Sequence, residues 1–156
     1  VRAMRRAAAA AIVALLSSSA IASVLECTVR SVHDGDTLTA DCAGAIHKIR
    51  LVEIDAPERT QPYSRISTNA LKALCLHKSA KIESKSQDKY GRTLGRVHCA
   101  GVDANAEQVR TGMAWAFDKY LTDPAIKALE RDARAAKIGL WRGANPVPPW
   151  EFRHNK

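Results

Sequence analysis

Residues 34–58 read DGDTLTADCAGAIHKIRLVEIDAPE, and this stretch decides the fold. Asp34-Gly35 between two β-favouring runs, 26–33 and 37–42, is the strongest short hairpin signal a sequence offers. Ala43-Gly44-Ala45 marks a second turn, and a third strand is predicted over 46–54. Pro57 ends that run, because it has no N–H to give to a ladder. Asp34, Asp36, Asp55 and Glu58 flank Arg50 in this segment, and they converge only if the strands lie side by side. Carboxylate oxygens beside a guanidinium suit a hard divalent cation that holds a phosphate.

Downstream, 59–65 is polar and reads as a loop. Ile66, Ala70, Leu71, Leu74 and Cys75 recur at helical spacing, which predicts a helix over 63–76. A fourth strand is predicted over 81–86, a turn pivoting on Gly91 over 88–92, and a fifth strand over 93–99. A short helix follows over 102–112, with Ala106, Val109 and Met113 on its apolar face. Asp123-Pro124 is an N-cap with proline at the first helical position, opening a helix that runs to about residue 137, with Gly139 as its C-terminal cap. Hairpins first and helices interleaved later argue an α+β fold. The tail 143–156 holds three of the six prolines and reads as extended; Trp150 there either packs back or stays exposed.

The N-terminus reads differently from the rest. Arg2, Arg5 and Arg6 precede an apolar run over 7–16, then serines and Ala20-Ile21-Ala22. That is the pattern of a signal peptide, 1–22, cleaved after Ala22. The apolar run is short for a membrane span. Lipid modification at Cys27 fits poorly, because Glu26 stands where a small residue is expected. The leader carries none of the acidic residues, so the remainder keeps 21 basic against 16 acidic side chains, a net of +5. A basic surface favours a polyanionic partner and excludes nothing more specific. With 46% hydrophobic residues the chain can bury a core, which excludes wholesale disorder.

Four cysteines in an exported chain favour two disulfides, and four allow three connectivities. If Asp34-Gly35 is a two-residue turn, Cys27 lies directly opposite Cys42, within bridging distance. Cys75 and Cys99 then remain for each other. No C-x-x-C or close Cys/His spacing points to zinc.

Three motifs in order carry a resemblance: D-G-D-T at 34–37, R-L-x-x-I-D-A-P-E at 50–58 and D-K-Y-G-R at 88–92. Together they resemble the staphylococcal nuclease family over roughly residues 26–141, placing one domain at 23–142. The resemblance implies a five-stranded β-barrel of the oligonucleotide-binding type with about three α-helices. It implies Ca2+ held by Asp36, Asp55 and the backbone carbonyl of Ala56. It gives Glu58 the role of general base, or of the group that orients the attacking water, and has Arg50 and Arg92 clamp the scissile phosphate. Lys89 and Tyr90 would hold a terminal phosphate and stack a base. Asp34 reads as a turn residue.

The activity implied is calcium-dependent hydrolysis of DNA and RNA leaving 3′-phosphorylated products, by a secreted or periplasmic monomer that does not stay on the membrane after signal cleavage. The alternative is an inactive nucleic-acid-binding barrel, which would be expected to have lost one of Asp36, Arg50, Asp55, Glu58 or Arg92; none is missing. A disulfide-stapled binder of some other polyanion is a third reading. The chain departs from the family at G-M-A-W-A-F-D-K-Y, 112–120, where the family places tyrosines after G-L-A. The register slips by about one residue there, so neither Phe117 nor Tyr120 receives a role, and Trp115 reads as core.

Overall fold

Leu38, Ile49, Leu51, Ile82 and Val97 are removed from solvent, and together with Val29 they fill a closed β-barrel. The computed structural model describes residues 23–155; the expected signal peptide at 1–22 lies outside them. In chain order the elements are β1 (Ser23–Val32), β2 (Thr37–Cys42), β3 (Ala45–Leu51), β4 (Ile54–Asp55), α1 (Ser64–Cys75), β5 (Ser79–Gln87) and β6 (Thr93–Cys99). Then come β7 (Val102–Asp103), α2 (Ala104–Arg110), β8 (Trp115–Ala116), α3 (Pro124–Ala135) and α4 (Pro149–His154). Strands β3-β2-β1-β5-β6 pair in that order, and a parallel β3–β6 pairing closes the ring. This is the five-stranded oligonucleotide-binding barrel, with helices packed around it, that the family resemblance implies.

The first hairpin reaches the predicted cysteine pairing by another route. β1 ends at Val32, which pairs with Leu38, and β2 starts at Thr37, so the connection spans 33–36 rather than two residues. A register shift between Val29 and Ser31 then restores the alignment, and Thr28 faces Asp41. The bulge costs β1 its strict alternation: Cys27, Val29 and Val32 point inward, with Arg30 left exposed. Cys27 and Cys42 are bridged with Cα atoms 4.1 Å apart. Cys75 and Cys99 are bridged at 5.1 Å, tying the end of α1 to β6.

The predicted third strand breaks in two. β3 stops at Leu51, Glu53 turns through a φ of 66°, and Ile54–Asp55 leaves the barrel to pair with β8. Glu53 holds that left-handed conformation because its buried carboxylate is fully engaged. It accepts hydrogen bonds from the Thr122 backbone and hydroxyl, the Asp123 backbone and Arg96.

α1 buries Ser64, Ser67, Leu71 and Cys75, while Ile66 is half exposed. The apolar pattern misplaces the inner face because Ser67 is polar but satisfied: its hydroxyl donates to the Met113 carbonyl at 2.7 Å. α2 begins only at Ala104, capped by Asp103, whose carboxylate accepts the Ala106 N–H. α3 starts as predicted, with Asp123 capping and Pro124 in the first turn, but Lys137, not Gly139, takes the left-handed position after it. Gly139 instead lets the chain pass Gly112, whose carbonyl oxygen would lie 2.3 Å from a Cβ there.

The tail is not extended throughout. Pro149–His154 forms α4, Pro149 is buried, and Trp150 packs back. Its ring stacks on Phe117 at 5.3 Å and 4°, and meets Trp115 edge-on at 5.7 Å. Trp115 is buried core, as read from the sequence.

Candidate active site

A cleft of about 1250 Å³ opens at the end of the barrel where β2 begins and β3 ends. Asp36, Arg50, Asp55, Ala56, Glu58, Lys89, Tyr90 and Arg92 all line it. The backbone dictates part of that convergence. The Leu51 N–H donates to the Asp36 carbonyl at 2.8 Å, and the Ala56 N–H donates to Asp36 Oδ2 at 2.6 Å. Asp55 is fixed from the other side, paired with Trp115 of β8.

The D-G-D turn is wedged against the helices. A Cβ on Gly35 would lie 1.8 Å from the Ser67 hydroxyl and 2.7 Å from the Ala56 Cβ, so no side chain fits. Asp34 accepts the Asp36 N–H at 3.0 Å, the turn role its position suggests. Buried Gln108 of α2 donates to the Gly35 carbonyl at 2.7 Å and to the Ser67 carbonyl at 3.2 Å. Asn105, one turn earlier, donates to Val52 and accepts from Val97. Two buried amides on one helix thus hold both loops that carry the acids. A buried amide inside a helical pattern is the one signal that could have drawn attention to them.

Arg50 Nη2 lies 3.2 Å from Asp36 Oδ2 and 2.9 Å from Asp55 Oδ1. Two carboxylates therefore converge on one nitrogen. The guanidinium is itself anchored, since Nη1 donates to the carbonyls of Leu51 at 2.6 Å and Ile54 at 3.0 Å. Burial pushes the Asp36 carboxyl up to about 7 against the pull of Arg50, and the charges of Asp34 and Asp55 add to the rise.

Arg92 reaches the cleft from the turn just before β6, which pairs with β3. Its Nε donates to Asp88 Oδ2 at 2.7 Å, while Asp88 Oδ1 accepts the backbone N–H groups of Tyr90 and Arg92. Asp88 so organises the whole turn. Tyr90 is exposed, with the Lys89 ammonium 5.0 Å and the Arg92 guanidinium 5.6 Å from its ring centre. Phe117 and Tyr120, unassigned from sequence, also line the cleft, their rings 5.0 Å apart edge to face.

Three contributors escape sequence reasoning. Glu53 is a buried hub on the cleft wall. Gln108 acts from α2. Arg153 arrives from the C-terminal helix: Nη2 lies 2.8 Å from Asp55 Oδ2, and Nη1 donates to Glu58 Oε1 at 2.6 Å and to Asp55 Oδ1 at 3.2 Å. No local pattern brings residue 153 to residue 58.

Among the described residues no group of three or more His, Cys, Asp or Glu side chains is gathered around a metal position. The donor chemistry nonetheless fits a hard cation that keeps some water ligands. Two carboxylates converge beside Arg50 Nη2, and burial disfavours the charged form of Asp36 despite that arginine, so a further cation there would be favoured.

Comparison with known proteins agrees with this architecture. The family model described as staphylococcal nuclease homologue matches residues 48–143. A protein of Escherichia coli O157:H7 described as an uncharacterized endonuclease is 44% identical over 124 residues, covering 79% of this chain and 81% of that protein. An uncharacterized endonuclease of Haemophilus influenzae is 39% identical, over 83% of this chain and 74% of that one. A rice protein described as a probable staphylococcal-like nuclease is 36% identical across 70% of this chain, but only 33% of its own length. The matched segment runs from within β3 to beyond α3 and includes most of the residues that line the cleft, so the chain belongs to the staphylococcal nuclease family.

Proposed function

We propose that this chain is a calcium-dependent phosphodiesterase that hydrolyses DNA and RNA within the strand and leaves 3′-phosphorylated products. The observation that carries the reading is the convergence of Asp36 and Asp55 on Arg50 Nη2, in one cleft with Glu58 and Arg92. The names of its bacterial and plant relatives support the same chemistry.

Asp36, Asp55 and the Ala56 carbonyl would hold the ion, which when bound supplies Lewis-acid polarisation of a phosphoryl oxygen. Glu58 takes a proton from the attacking water as its oxygen bonds to phosphorus. The bond from phosphorus to the 5′-oxygen breaks, and that oxygen leaves as an alkoxide that takes a proton from solvent water. Arg50 is already aligned by the two backbone carbonyls and meets the negative charge that builds on the phosphoryl oxygens. Arg92 shares that charge and assists the departing oxygen. Lys89 and Tyr90, exposed on the rim, take the neighbouring phosphate and base.

The two disulfides suit an oxidising compartment, and among the described residues no helix is long and apolar enough to cross a membrane. Both fit export to the periplasm or medium, and no feature of the site calls for a second chain. The decisive assay follows single-stranded DNA and RNA with calcium and then with excess chelator. Cleavage that chelation abolishes supports the proposal. Binding without cleavage in calcium would indicate an inactive nucleic-acid-binding barrel.

A further inference from the structure

The C-terminal segment is tied to the Glu58 loop at two points. Buried Gln61 bridges them, accepting the Glu58 N–H at 3.0 Å and donating to the Val147 carbonyl at 2.5 Å. Arg153 makes the second tie, through the Glu58 carboxylate. Between the two, Pro149 is buried and Trp150 is stacked on Phe117, so α4 is docked rather than draped.

Glu58 needs such help. It follows Pro57 on a loop, and its side chain is one-third exposed. Its carboxylate Oε1 accepts a hydrogen bond from Arg153 Nη1 at 2.6 Å. A general base works only when held within reach of the proton it takes, and an unrestrained loop glutamate explores several rotamers. Arg153 engages Oε1 of Glu58 and so fixes the plane of its carboxylate. Its hold on both oxygens of Asp55 fixes the direction of approach.

We propose that Arg153 is a positioning residue, which the docked C-terminal helix delivers to orient Glu58. This deepens the phosphodiesterase reading and rests on it. Arg153 acts through Glu58 and makes no demand on the substrate itself.

The test is steady-state hydrolysis of single-stranded DNA in calcium by wild type, Arg153→Gln, Arg153→Lys, Glu58→Gln and the Glu58→Gln/Arg153→Gln double variant. Melting curves check that each is folded. Expected is a kcat loss of about 10–100-fold for Arg153→Gln, the usual range for a group supporting a first ligand or base, with KM within about twofold. Arg153→Lys should recover part of the loss. In the Glu58→Gln background, Arg153→Gln should cost less than about a further twofold, because the two changes act as one unit.

A raised KM at unchanged kcat would make Arg153 a substrate contact and overturn the proposal. So would faster turnover by Arg153→Gln, which would make it a strap over the acids, or fully additive losses in the double variant. A wild type that does not cleave refutes the phosphodiesterase reading separately. Positioning is then judged on the Arg153 side-chain NMR signals: a change on Glu58→Gln supports it, and unchanged signals overturn it.

Discussion

Arg153 Nη1 lies 2.6 Å from Glu58 Oε1, a contact that joins positions ninety-five residues apart and makes the last helix part of the cleft wall. Trp150 makes that reach possible, by stacking on Phe117 and meeting Trp115 edge-on. Aromatic pairs of this kind contribute about 0.5–1.5 kcal/mol each. Trp150→Ala should therefore cost about 1–3 kcal/mol and lower kcat as Arg153→Gln does. Denaturant melts and turnover of the same preparation check both.

Asp36 makes stability depend on pH in an unusual direction. Burial, opposed by Arg50, raises its folded pKa to about 7 from an ordinary value of 3.8. Between those values the folded chain holds a proton that the unfolded chain has released, so this group's contribution to stability falls as pH rises and levels off above about 7. Without divalent cations, Asp36→Asn should gain stability relative to wild type from pH 4.5 to 7.5. Melting temperatures of both proteins in chelator across that range measure it. The same proton competes with a cation, so calcium affinity should rise with pH until about 7.

Gly35 has no room for a methyl group between Ser67 and Ala56. Overpacking of this kind costs about 1–3 kcal/mol. Gly35→Ala should destabilise by that amount and displace the Asp36 backbone, lowering activity by more than tenfold even where the variant is folded. Calcium titration and turnover at a temperature below its melt would show both effects.

Each disulfide closes a loop that would otherwise be free in the unfolded chain, with 15 and 24 residues of separation. Loops of that size correspond to about 3 kcal/mol each in the loop-entropy account. Reduction should lower the melting point in two resolvable steps when Cys27→Ser/Cys42→Ser and Cys75→Ser/Cys99→Ser are compared with wild type. Activity of folded protein should persist, since neither bridge touches the cleft.

Local signals carried most of the fold. Asp-Gly between β-rich runs marks a hairpin, and Asp123-Pro124 marks a helix start, because in both cases the chemistry is decided by adjacent residues. The turn is longer than the two residues its Asp-Gly suggests, but the bulge near Arg30 realigns the strands before Cys27. The break at Glu53 was hidden because its cause lies at Arg96, Thr122 and Asp123. The inner face of α1 was misplaced because a serine with a distant carbonyl partner can be as buried as a leucine. In the candidate site, residues within motifs were legible. Gln108 and Arg153 are not, since each acts through long-range contacts that leave no periodic trace.

The most direct measurement is kcat for single-stranded DNA in calcium, wild type against Glu58→Ala, with oligonucleotide affinity and melting temperature recorded alongside. Loss of a general base predicts a fall of about 10²–10⁴-fold with binding and fold retained. A Glu58→Ala protein that turns over within a few-fold of wild type would contradict the account.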